Sequence, residues 1–521
     1  MPDLDKFRLR RFVETLIGMG EVEVHDEQVD LADVSAIVES TPKAVLFRNA
    51  GPERLELVAG VMGNRRRLAA ALGATEKDVV AEFQRRTGNP GSSVDVPSGD
   101  APVHQIILTA DQADFTRLPF HPQHEFDGSA YLSSGIDYTI DPETGLSNVG
   151  CRRLSLRNRK ECGTNITVRS HLMLLYQRCV ARGQKLPISY VIGSHPTDFL
   201  AAVMRIPCEE IGLIGALRDQ PVPLVKCVTN DIRVPADSEI VLEGYLDERG
   251  YIEPEGPFGE YMGYYGPMRL DPVFHLTAIT MRHDALHQSL LHGSGRVLGS
   301  TEAANLTGLR LEAEASRTLK NIGIEAVDVH LPLYGGEGQH LRVAIRQKLP
   351  GEPRRVIATI LGAMPSVKHV FVVDDDIDIR SQDSMEWALG TRFQADRDLV
   401  LYEGMPGMRL DPSLDGRAIG AKAGFDLTRP QGRKWAVTTS IAGAKRFTAQ
   451  AHCKTVEQAL EEGPLFFTQI MENVGSRDGR EVACALDELR QQGRLGCDEE
   501  GRYRLAQAEK GRTAFSGPAH G

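Results

Sequence analysis

Many short β-like segments, separated by glycine, proline and aspartate, fill the middle of this chain and restrict the folds open to it. They follow a turn-rich stretch, Gly88–Gly99, which predicts a linker. The predicted strands are Gln105–Leu108, Ile188–Ile192, Leu224–Val228, Glu239–Tyr245 and Phe274–Met281. Because short strands with frequent turns are typical of barrels and sandwiches, we expect one of these and not a doubly wound sheet.

Helical and mixed segments flank this β-rich region. Before it, apolar periodicity predicts a strand at 21–24 and helices at 9–17, 65–72 and 76–86. After it, a helix is predicted over 302–320, and alternating β and α segments over 326–402 indicate an α/β domain. The acidic run Asp374–Asp378 resembles a divalent-metal cluster in composition. Its spacing matches no Ca²⁺ loop, so a solvated strand-to-helix connection is favoured.

The C-terminal residues form a further predicted unit. Apolar residues recur at helical spacing at Phe467, Ile470, Met471, Val474, Val482, Leu486 and Leu489. A hairpin over 494–505, turning at 499–501, would follow these helices, which is the order of a winged-helix-like fold. Acidic residues at 478, 481, 487 and 488 would repel phosphates on the recognition helix. We therefore favour a protein-contact or packing role over DNA binding.

Composition narrows the class of protein. The 521 residues carry a formal charge of −11, which gives no electrostatic footprint for nucleic acid. Eight scattered cysteines without a Cys-x-x-Cys pair indicate a reducing compartment. The charged N-terminus lacks the apolar core of a signal peptide, and no apolar run has transmembrane length. We expect a cytoplasmic protein without membrane or nucleic-acid partners.

The hexapeptide Glu255–Glu260, Glu-Gly-Pro-Phe-Gly-Glu, is the strongest candidate for chemistry. Its two glycines and proline predict a compact turn that holds two carboxylates close together. Two acids at short distance cannot both ionise freely, so one is expected to stay protonated near neutral pH and donate a proton. An ordinary turn with a buried aromatic ring and two solvated glutamates is the alternative.

A mixed set of ligand types precedes this turn. Asn148, His171 and Glu210 offer an amide oxygen, an imidazole and a carboxylate, which suit Mn²⁺ or Mg²⁺ when phosphate oxygens complete the octahedron. Taken singly, His171 has the alternative of a hydrogen-bonded packing residue, and Asn148 that of a turn residue.

An ordered series of motifs resembles the UbiD family of prenylated-flavin-dependent decarboxylases over residues 5–430. The series comprises Ala44–Phe47, Gly63–Arg67, Phe115–Pro119, Asp141–Gly145, Asn148–Gly150, Lys226–Asn230, Glu255–Glu260 and Leu410–Ser413. The resemblance implies a split-barrel-like flavin-binding domain, a linking helix and an α/β dimerisation domain. It also implies Mn²⁺ with nearby K⁺, which together bridge the protein to the phosphate of prenylated FMN made by a flavin prenyltransferase.

The resemblance also implies roles for individual residues. The metal ligands would be Asn148, His171 and Glu210, and the catalytic network would be Arg153, Glu255 and Glu260, with Glu260 as the proton donor. The residues implied to bind the cofactor are Asn148, Val149, Arg152, Arg153, His171, Glu210 and, by a looser match, Lys422.

The implied reaction is a reversible, non-oxidative decarboxylation of an aromatic or heteroaromatic acid, with loss of CO₂ from a covalent prenylated-FMN adduct. Furan, pyrrole and phenazine acids are examples. A cinnamate-like α,β-unsaturated acid and a flavin-binding protein without decarboxylase activity are the alternatives. His287, His292 and Arg296 depart from the Gly-Arg-Pro-Pro segment of many relatives. They are expected either to receive a second polar group of the substrate, with His292 and Arg296 the candidates, or to form a polar loop.

The expected organisation is an α+β and α/β multidomain chain that forms a homodimer or a larger homo-oligomer. Its predicted parts are an N-terminal α/β segment, the split-barrel-like domain, the linking helix, the α/β oligomerisation domain and a winged-helix-like extension, at 1–100, 101–300, 301–322, 323–450 and 451–521.

Overall fold

The computed structural model describes residues 3–89, 91–166, 170–204, 209–336, 338–429, 436–448 and 450–506. The β-strands among them are β1 (Val22–Val29), β2 (Ala44–Ala50), β3 (Leu55–Ala59), β4 (Ser93–Asp95), β5 (Ile106–Thr109), β6 (Tyr131–Ile140), β7 (Ser147–Leu156), β8 (Glu161–Thr164), β9 (Leu186–Ile192), β10 (Val222–Lys226), β11 (Arg233–Pro235), β12 (Ile240–Leu246), β13 (Glu253–Glu255), β14 (Phe258–Gly259), β15 (Tyr265–Gly266), β16 (Arg269–Asp271), β17 (Val273–Met281), β18 (His287–Ser289), β19 (Ala326–His330), β20 (His340–Ile345), β21 (His369–Asp374), β22 (Leu399–Pro406), β23 (Ile419–Asp426), β24 (Leu495–Cys497) and β25 (Tyr503–Leu505).

The α-helices of the same residues are α1 (Leu9–Gly18), α2 (Val34–Glu39), α3 (Arg65–Ala71), α4 (Val79–Thr87), α5 (His171–Ala181), α6 (Pro196–Ala202), α7 (Glu210–Arg218), α8 (Glu302–Asn321), α9 (Glu352–Ala363), α10 (Gln382–Arg392), α11 (Ala395–Asp398), α12 (Val456–Glu461), α13 (Phe467–Val474) and α14 (Arg480–Gln491). Short 3₁₀ turns lie at Ser98–Asp100, Pro102–His104, Ala110–Gln112, Phe115–Arg117, Pro412–Leu414 and Ala436–Thr439.

A closed barrel forms the middle of the chain, as the short strands predicted. Among the described residues it has six strands in the order β12, β9, β6, β7, β8 and β17, and β17 pairs back with β12. Each neighbouring pair is antiparallel. Sequence patterns did not predict β6 and β7. Because β6 is buried along almost its whole length, it lacks the polar and apolar alternation of a half-exposed strand.

Apolar side chains cover both faces of the barrel wall. On β9, Val191 packs into one cluster with the N-terminal helices, whereas Tyr190 and Ile192 pack into another with α5. On β12, Val241 joins the first cluster and its neighbour Leu242 the second. Successive side chains of a strand point to opposite faces, so each strand contributes to two cores.

The N-terminal segment and the predicted linker are joined to the barrel region by strand pairing. The N-terminal sheet has the order β1, β2, β3 and β18, so His287–Ser289 returns to it from the end of the barrel. Within the predicted linker Gly88–Gly99, β4 pairs in parallel with β10. The predicted linker therefore contains a short strand, Ser93–Asp95, that the sequence patterns did not predict, because turn-forming residues around it hide it.

A long helix and a mixed β-sheet lie where the sequence predicted a linking helix and an α/β domain. Helix α8 begins after Thr301, whose side chain accepts a hydrogen bond from Ala304 N. It leads into a sheet of order β19, β20, β21, β23 and β22. The acidic run is the connection between β21 and α10, where Asp376 pairs with Arg392 at 2.8 Å. This confirms the predicted strand-to-helix connection, in which Asp375, Asp376 and Asp378 are exposed, whereas Asp374 is buried at the end of β21.

Two compact units divide the chain, Met1–Thr428 and Arg429–Gly521. The second contains α12, α13 and α14 followed by the antiparallel hairpin of β24 and β25, in the predicted order of helices and ribbon. The winged-helix-like assignment and the five predicted domain boundaries stay predictions. The cysteines of the described residues are free thiols. In these residues no helix is both long and apolar enough to cross a bilayer.

Candidate active site

Arg153 joins the two glutamates of the hexapeptide. It lies on β7, and its Nε and one terminal nitrogen donate to Glu255 at 2.7 and 3.2 Å. The same terminal nitrogen lies 3.2 Å from Glu260 Oε1. All three side chains are nearly buried. The structure therefore brings together the three residues that the family resemblance assigned to catalysis.

The turn that carries the glutamates is as compact as its composition predicted. Glu255 ends β13, and β14 pairs with β15 across the turn, where Glu260 N donates to Tyr264 O at 2.8 Å. A Cβ on Gly259 would lie 2.4 Å from the ring of His124. A Cβ on Gly293 would lie 1.9 Å from Glu260 O. Both positions therefore require glycine, because a side chain would overlap the ring of His124 at the first and the backbone of Glu260 at the second.

An aromatic ring packs against the guanidinium. The Arg153 carbon Cζ lies 4.1 Å from the centroid of Phe258, which is itself buried. Such cation–π contacts are worth about 2 kcal/mol when desolvated. Phe258 thus stabilises the one cation that both carboxylates share.

The ionisation of Glu260 differs from the prediction. Burial acts to raise its pKa, but the hydrogen bond with His292 and the charge of Arg153 outweigh burial and lower the pKa to about 2. His292 Nε2 lies 3.5 Å from Glu260 Oε2. The expectation of a protonated glutamate was therefore wrong for Glu260 in this arrangement, because a cation lies between the two acids.

A third acid, which the sequence did not single out, holds the proton instead. Burial and the nearby charge of Glu255 raise the pKa of Asp271 to about 8. Asn165 Nδ2 lies 3.4 Å from both Glu255 Oε2 and Asp271 Oδ2, and Asp271 Oδ1 has no hydrogen-bond partner among the described residues. Pairing of β13 with β16 brings Asp271 to this network. The pairing of these two short strands is the feature that could have identified Asp271.

A second polar centre lies on β6 and β7. Asn148 Nδ2 lies 3.3 Å from Asp137 Oδ2 on the neighbouring strand, and the amide of Val149 donates to Glu210 Oε2. Burial raises the pKa of Asp137 to about 6 and that of Glu210 to about 7. The buried Asp137 and the half-buried Glu210, with the Asn148 amide, are a donor set for a hard cation, which would favour the ionised forms of the two acids.

Arg152 completes this centre. Its Nε lies 3.5 Å from Asp137 Oδ1, and neither atom has a hydrogen-bond partner among the described residues. A Cβ on Gly150 would lie 3.0 Å from both side chains. Gly150 therefore leaves room for the Asp137 and Arg152 side chains, whose orphaned polar atoms fit a bound ion or phosphate.

The other predicted site residues are placed differently. His171 begins α5, and Asp141 at 3.9 Å is its acidic partner among the described residues, so no direct contact joins it to Asn148 or Glu210. Lys422 Nζ donates to the carbonyls of Met364 and Pro365. Neither residue touches the second polar centre in this arrangement, and their assignment to the cofactor stays a prediction.

The three polar residues after β17, His287, His292 and Arg296, lie in different environments. His292 reaches Glu260, as described above. His287 is buried in β18, its Nδ1 lies 3.2 Å from Glu56 O, and burial lowers its pKa to about 4. Arg296 is exposed. The structure thus gives His287 a packing role and leaves His292 as the residue next to the catalytic turn.

A cavity of about 500 Å³ borders the catalytic turn at Tyr261. Helix α8 contributes Arg310, Glu314 and Arg317 to its wall. Met364–Ser366 line another side, which is the segment held by Lys422. The cavity therefore joins the neighbourhood of Glu260 to a wall that carries two arginines.

Comparison with known proteins shows to which family the chain belongs. It matches the N-terminal domain of 3-octaprenyl-4-hydroxybenzoate carboxy-lyase over residues 13–87, the Rift-related domain over 94–295 and the C-terminal domain over 304–427. The chain belongs to the UbiD family. This UbiD-family protein is accordingly a carboxy-lyase.

Two curated relatives of this UbiD-family protein share one activity with each other. The anhydromevalonate phosphate decarboxylases of Methanosarcina mazei and Methanothermobacter thermautotrophicus are each 29% identical to it over 81% of the chain. The matches cover 96% and 97% of those proteins.

Solved structures of the family share its fold. The UbiD-class enzyme HmfF from Pelotomaculum thermopropionicum, in complex with FMN, is 31% identical, with 84% of this chain and 97% of that chain covered and a TM-score of 0.79. An evolved dimeric form of HmfF in complex with prFMN gives 30% identity, 82% and 96% coverage, and a TM-score of 0.74. The 3,4-dihydroxybenzoic acid decarboxylase of Enterobacter cloacae is 25% identical, with 85% and 98% coverage and a TM-score of 0.78.

Proposed function

We propose that this protein is a reversible, non-oxidative decarboxylase that uses prenylated FMN, and that Glu260 is its proton donor. The observation that carries the proposal is the bridge of Arg153 between Glu255 and Glu260. Membership of the UbiD family and the FMN and prFMN complexes of HmfF support the choice of cofactor. When bound, such a flavin supplies an electron sink that side chains lack.

The second polar centre is the proposed anchor of the cofactor. Asn148, Glu210 and His171 would hold Mn²⁺, with K⁺ nearby, and Val149, Arg152 and Arg153 would contact the cofactor. The raised pKa values of Asp137 and Glu210 support a cation there, because a positive charge relieves the burial of acids. Lys422 is proposed to act from the other side by fixing the backbone of Met364–Ser366 at the cavity wall.

The protonation states of Glu260 and Asp271 follow from the charges around them. At rest Glu260 is ionised, and Asp271 carries a proton. A substrate carboxylate placed beside Arg153 adds a like charge next to Glu260 and raises its pKa, so that Glu260 takes up a proton. After the bond between the carboxyl group and the substrate carbon that carries it breaks and CO₂ leaves, Glu260 delivers this proton to that substrate carbon. Protonated Asp271 limits the negative charge around Arg153.

For the substrate we propose an aromatic or heteroaromatic acid, with His292 as the polar contact beside Glu260. Arg296, the other candidate, would need a movement of its loop to reach the same place.

A phosphorylated α,β-unsaturated acid is the second candidate substrate. The arginines of α8 favour it, because Arg310 and Arg317 line the cavity next to the catalytic turn and guanidinium groups bind phosphate well. The relatives named anhydromevalonate phosphate decarboxylases support the same choice.

One substrate panel separates the two candidates. Protein co-produced with a flavin prenyltransferase should be tested with aromatic, heteroaromatic and phosphorylated unsaturated acids, while CO₂ release is measured. If phosphate is recognised, Arg317→Gln should raise KM for the phosphorylated acid at least about tenfold, whereas the exposed control Arg66→Gln should not. Failure of the co-produced protein to release CO₂ from any of these acids, together with no flavin bound, would reject the decarboxylase proposal.

We further propose a cytoplasmic homodimer or larger homo-oligomer. The dimeric form of HmfF supports this assembly. Native mass spectrometry of the holoenzyme would report subunit number, flavin and metal in one measurement.

A further inference from the structure

The C-terminal unit, Arg429–Gly521, contains a group of ligand-type side chains that the family assignment does not explain. The matched family models end at residue 427, before this unit begins. In it, His452, Cys453 and Glu462 bring a ring nitrogen, a sulfur and a carboxylate oxygen within 4.8 Å of one another. Among the described residues, this is the one place where three His, Cys, Asp or Glu side chains meet so closely.

The contacts within this cluster centre on Glu462. His452 Nε2 lies 3.2 Å from one carboxylate oxygen, and Cys453 Sγ lies 3.4 Å from the other. Cys453 is buried, whereas about half of the His452 and Glu462 side chains is exposed. The cluster therefore has a sulfur on the inner side and two ligands that solvent can reach.

The backbone holds the three side chains in place from two directions. The amides of His452 and Cys453 both donate to Asn473 O on α13, each at 3.0 Å. Glu462 is the residue that follows α12, and that helix is capped at its start by Thr455, whose Oγ1 accepts from Gln458 N. Two anchored segments thus present the ligands to each other, so little conformational entropy is lost when an ion binds.

We propose that His452, Cys453 and Glu462 bind a zinc ion whose fourth position is taken by water. Ligand atoms at about 2.0–2.3 Å from a tetrahedral ion lie about 3.3–3.8 Å apart. The contacts of His452 and Cys453 with the two Glu462 oxygens, at 3.2 and 3.4 Å, are close to this range, and one ligand atom from each residue lies within 4.8 Å of the other two. A thiolate with an imidazole selects zinc over Mg²⁺, Ca²⁺ and Mn²⁺. Binding would replace the thiol proton, which is released to solvent, and would tie the loop before α12 to the end of that helix.

The test uses the full-length holoenzyme under a non-thiol reductant, with Co²⁺ as the probe. A cobalt–thiolate bond gives a near-ultraviolet charge-transfer band, read as a difference spectrum against the same holoenzyme without cobalt. The ligands proposed at the flavin site contain no thiol, so this band reports metal binding by His452, Cys453 and Glu462 alone. We expect one equivalent of Co²⁺ to produce the band and one equivalent of Zn²⁺ to remove it.

Matched variants separate a metal site from a simple hydrogen-bonded cluster. Cys453→Ser should abolish the band, and the half-exposed Glu462→Gln should weaken Zn²⁺ binding at least about tenfold, since each removes a ligand. Cys484→Ser, at an exposed thiol of the same unit, should leave both unchanged. Absence of the band in wild-type protein, or a band that survives Cys453→Ser, would overturn the proposal. Glu462→Gln keeps the test valid if Cys453→Ser fails to fold.

Discussion

Glu260 is held by a different residue at each oxygen: Oε2 lies 3.5 Å from His292 Nε2, while Oε1 lies 3.2 Å from Arg153. These contacts make the carboxylate form the stable one and lower the pKa of Glu260 to about 2. A proton donor of this kind must gain its proton when substrate arrives. The reaction is thereby linked to substrate binding, because an empty site keeps Glu260 ionised.

Replacement of Glu260 should stop turnover without loss of cofactor. Glu260→Gln keeps the shape of the side chain but has no acidic proton, so kcat should fall at least about 100-fold. Flavin content, read from the absorption spectrum, should stay at the wild-type level. Glu253→Gln, which alters an acid of the neighbouring strand paired with Arg157, is the control and should keep most activity. Wild-type turnover by Glu260→Gln would refute the proton-donor role.

Arg153 should not tolerate lysine. Its guanidinium binds Glu255 through two nitrogens and reaches Glu260 as well, which a single ammonium cannot do. We expect Arg153→Lys to lower kcat/KM at least about tenfold with the fold retained. Arg157→Lys is the matched control, because Arg157 is more exposed than Arg153 and pairs with Glu253. It should change kcat/KM by no more than about twofold to threefold, in line with the small energies of exposed ion pairs. Equal effects of the two variants would contradict a special role for Arg153.

His292 should control the pH dependence of the reaction. Its hydrogen bond is one of the contacts that lower the pKa of Glu260, so His292→Gln should raise that pKa. The limb of the kcat/KM profile that reports Glu260 ionisation should then move to higher pH. Arg296→Ala, at an exposed residue of the same loop, should leave the profile in place. If both variants shift the pH profile, or if neither does, His292 does not control the pKa of Glu260.

The polar centre on β6 and β7 should govern metal and flavin retention. Glu210→Gln removes a half-buried carboxyl group beside Asn148 and should lower the Mn²⁺ and flavin bound after purification at least about tenfold. Elemental analysis and the flavin spectrum measure both. Glu143→Gln, in an exposed cluster with Arg178 and Arg182, should retain wild-type amounts. Full metal content in Glu210→Gln would remove Glu210 from the ligand set.

The sequence predicted the fold best where a local pattern is strong. The apolar spacing of α8 and the short strands β9, β12 and β17 predicted elements at nearly the observed positions. It predicted least where burial on both sides removes alternation, as in β6, or where a strand of three residues lies among turn formers, as in β4. Local patterns carry little information on such segments, because β6 lacks alternation and the partner of β4, β10, lies far away in the chain.

The candidate site shows the same limit. Ordered motifs singled out Arg153, Glu255 and Glu260, and the structure brings these three together. Asp271 escaped notice because its importance arises from strand pairing and burial. The predicted protonation of a glutamate also failed, since a pattern of two nearby acids does not reveal the cation between them.

The raised pKa of Asp271 predicts a pH-dependent cost to stability. In the unfolded chain this carboxyl titrates near 3.8, whereas burial and Glu255 raise its pKa in the folded protein to about 8. Between these values the folded state holds a proton that the unfolded state has released, so stability falls as pH rises from about 4 to 8 and levels off above.

Asp271→Asn should remove this cost, because the amide cannot ionise. The variant should therefore gain stability relative to wild type as pH rises from 5 to 8, by on the order of 2 kcal/mol, since each unit of pKa difference corresponds to about 1.4 kcal/mol and relaxation reduces the full effect. Thermal unfolding at several pH values measures the difference in Tm. Asp111→Asn, at an exposed residue, should show no such trend. A stability difference independent of pH would show that Asp271 is already ionised in the folded protein.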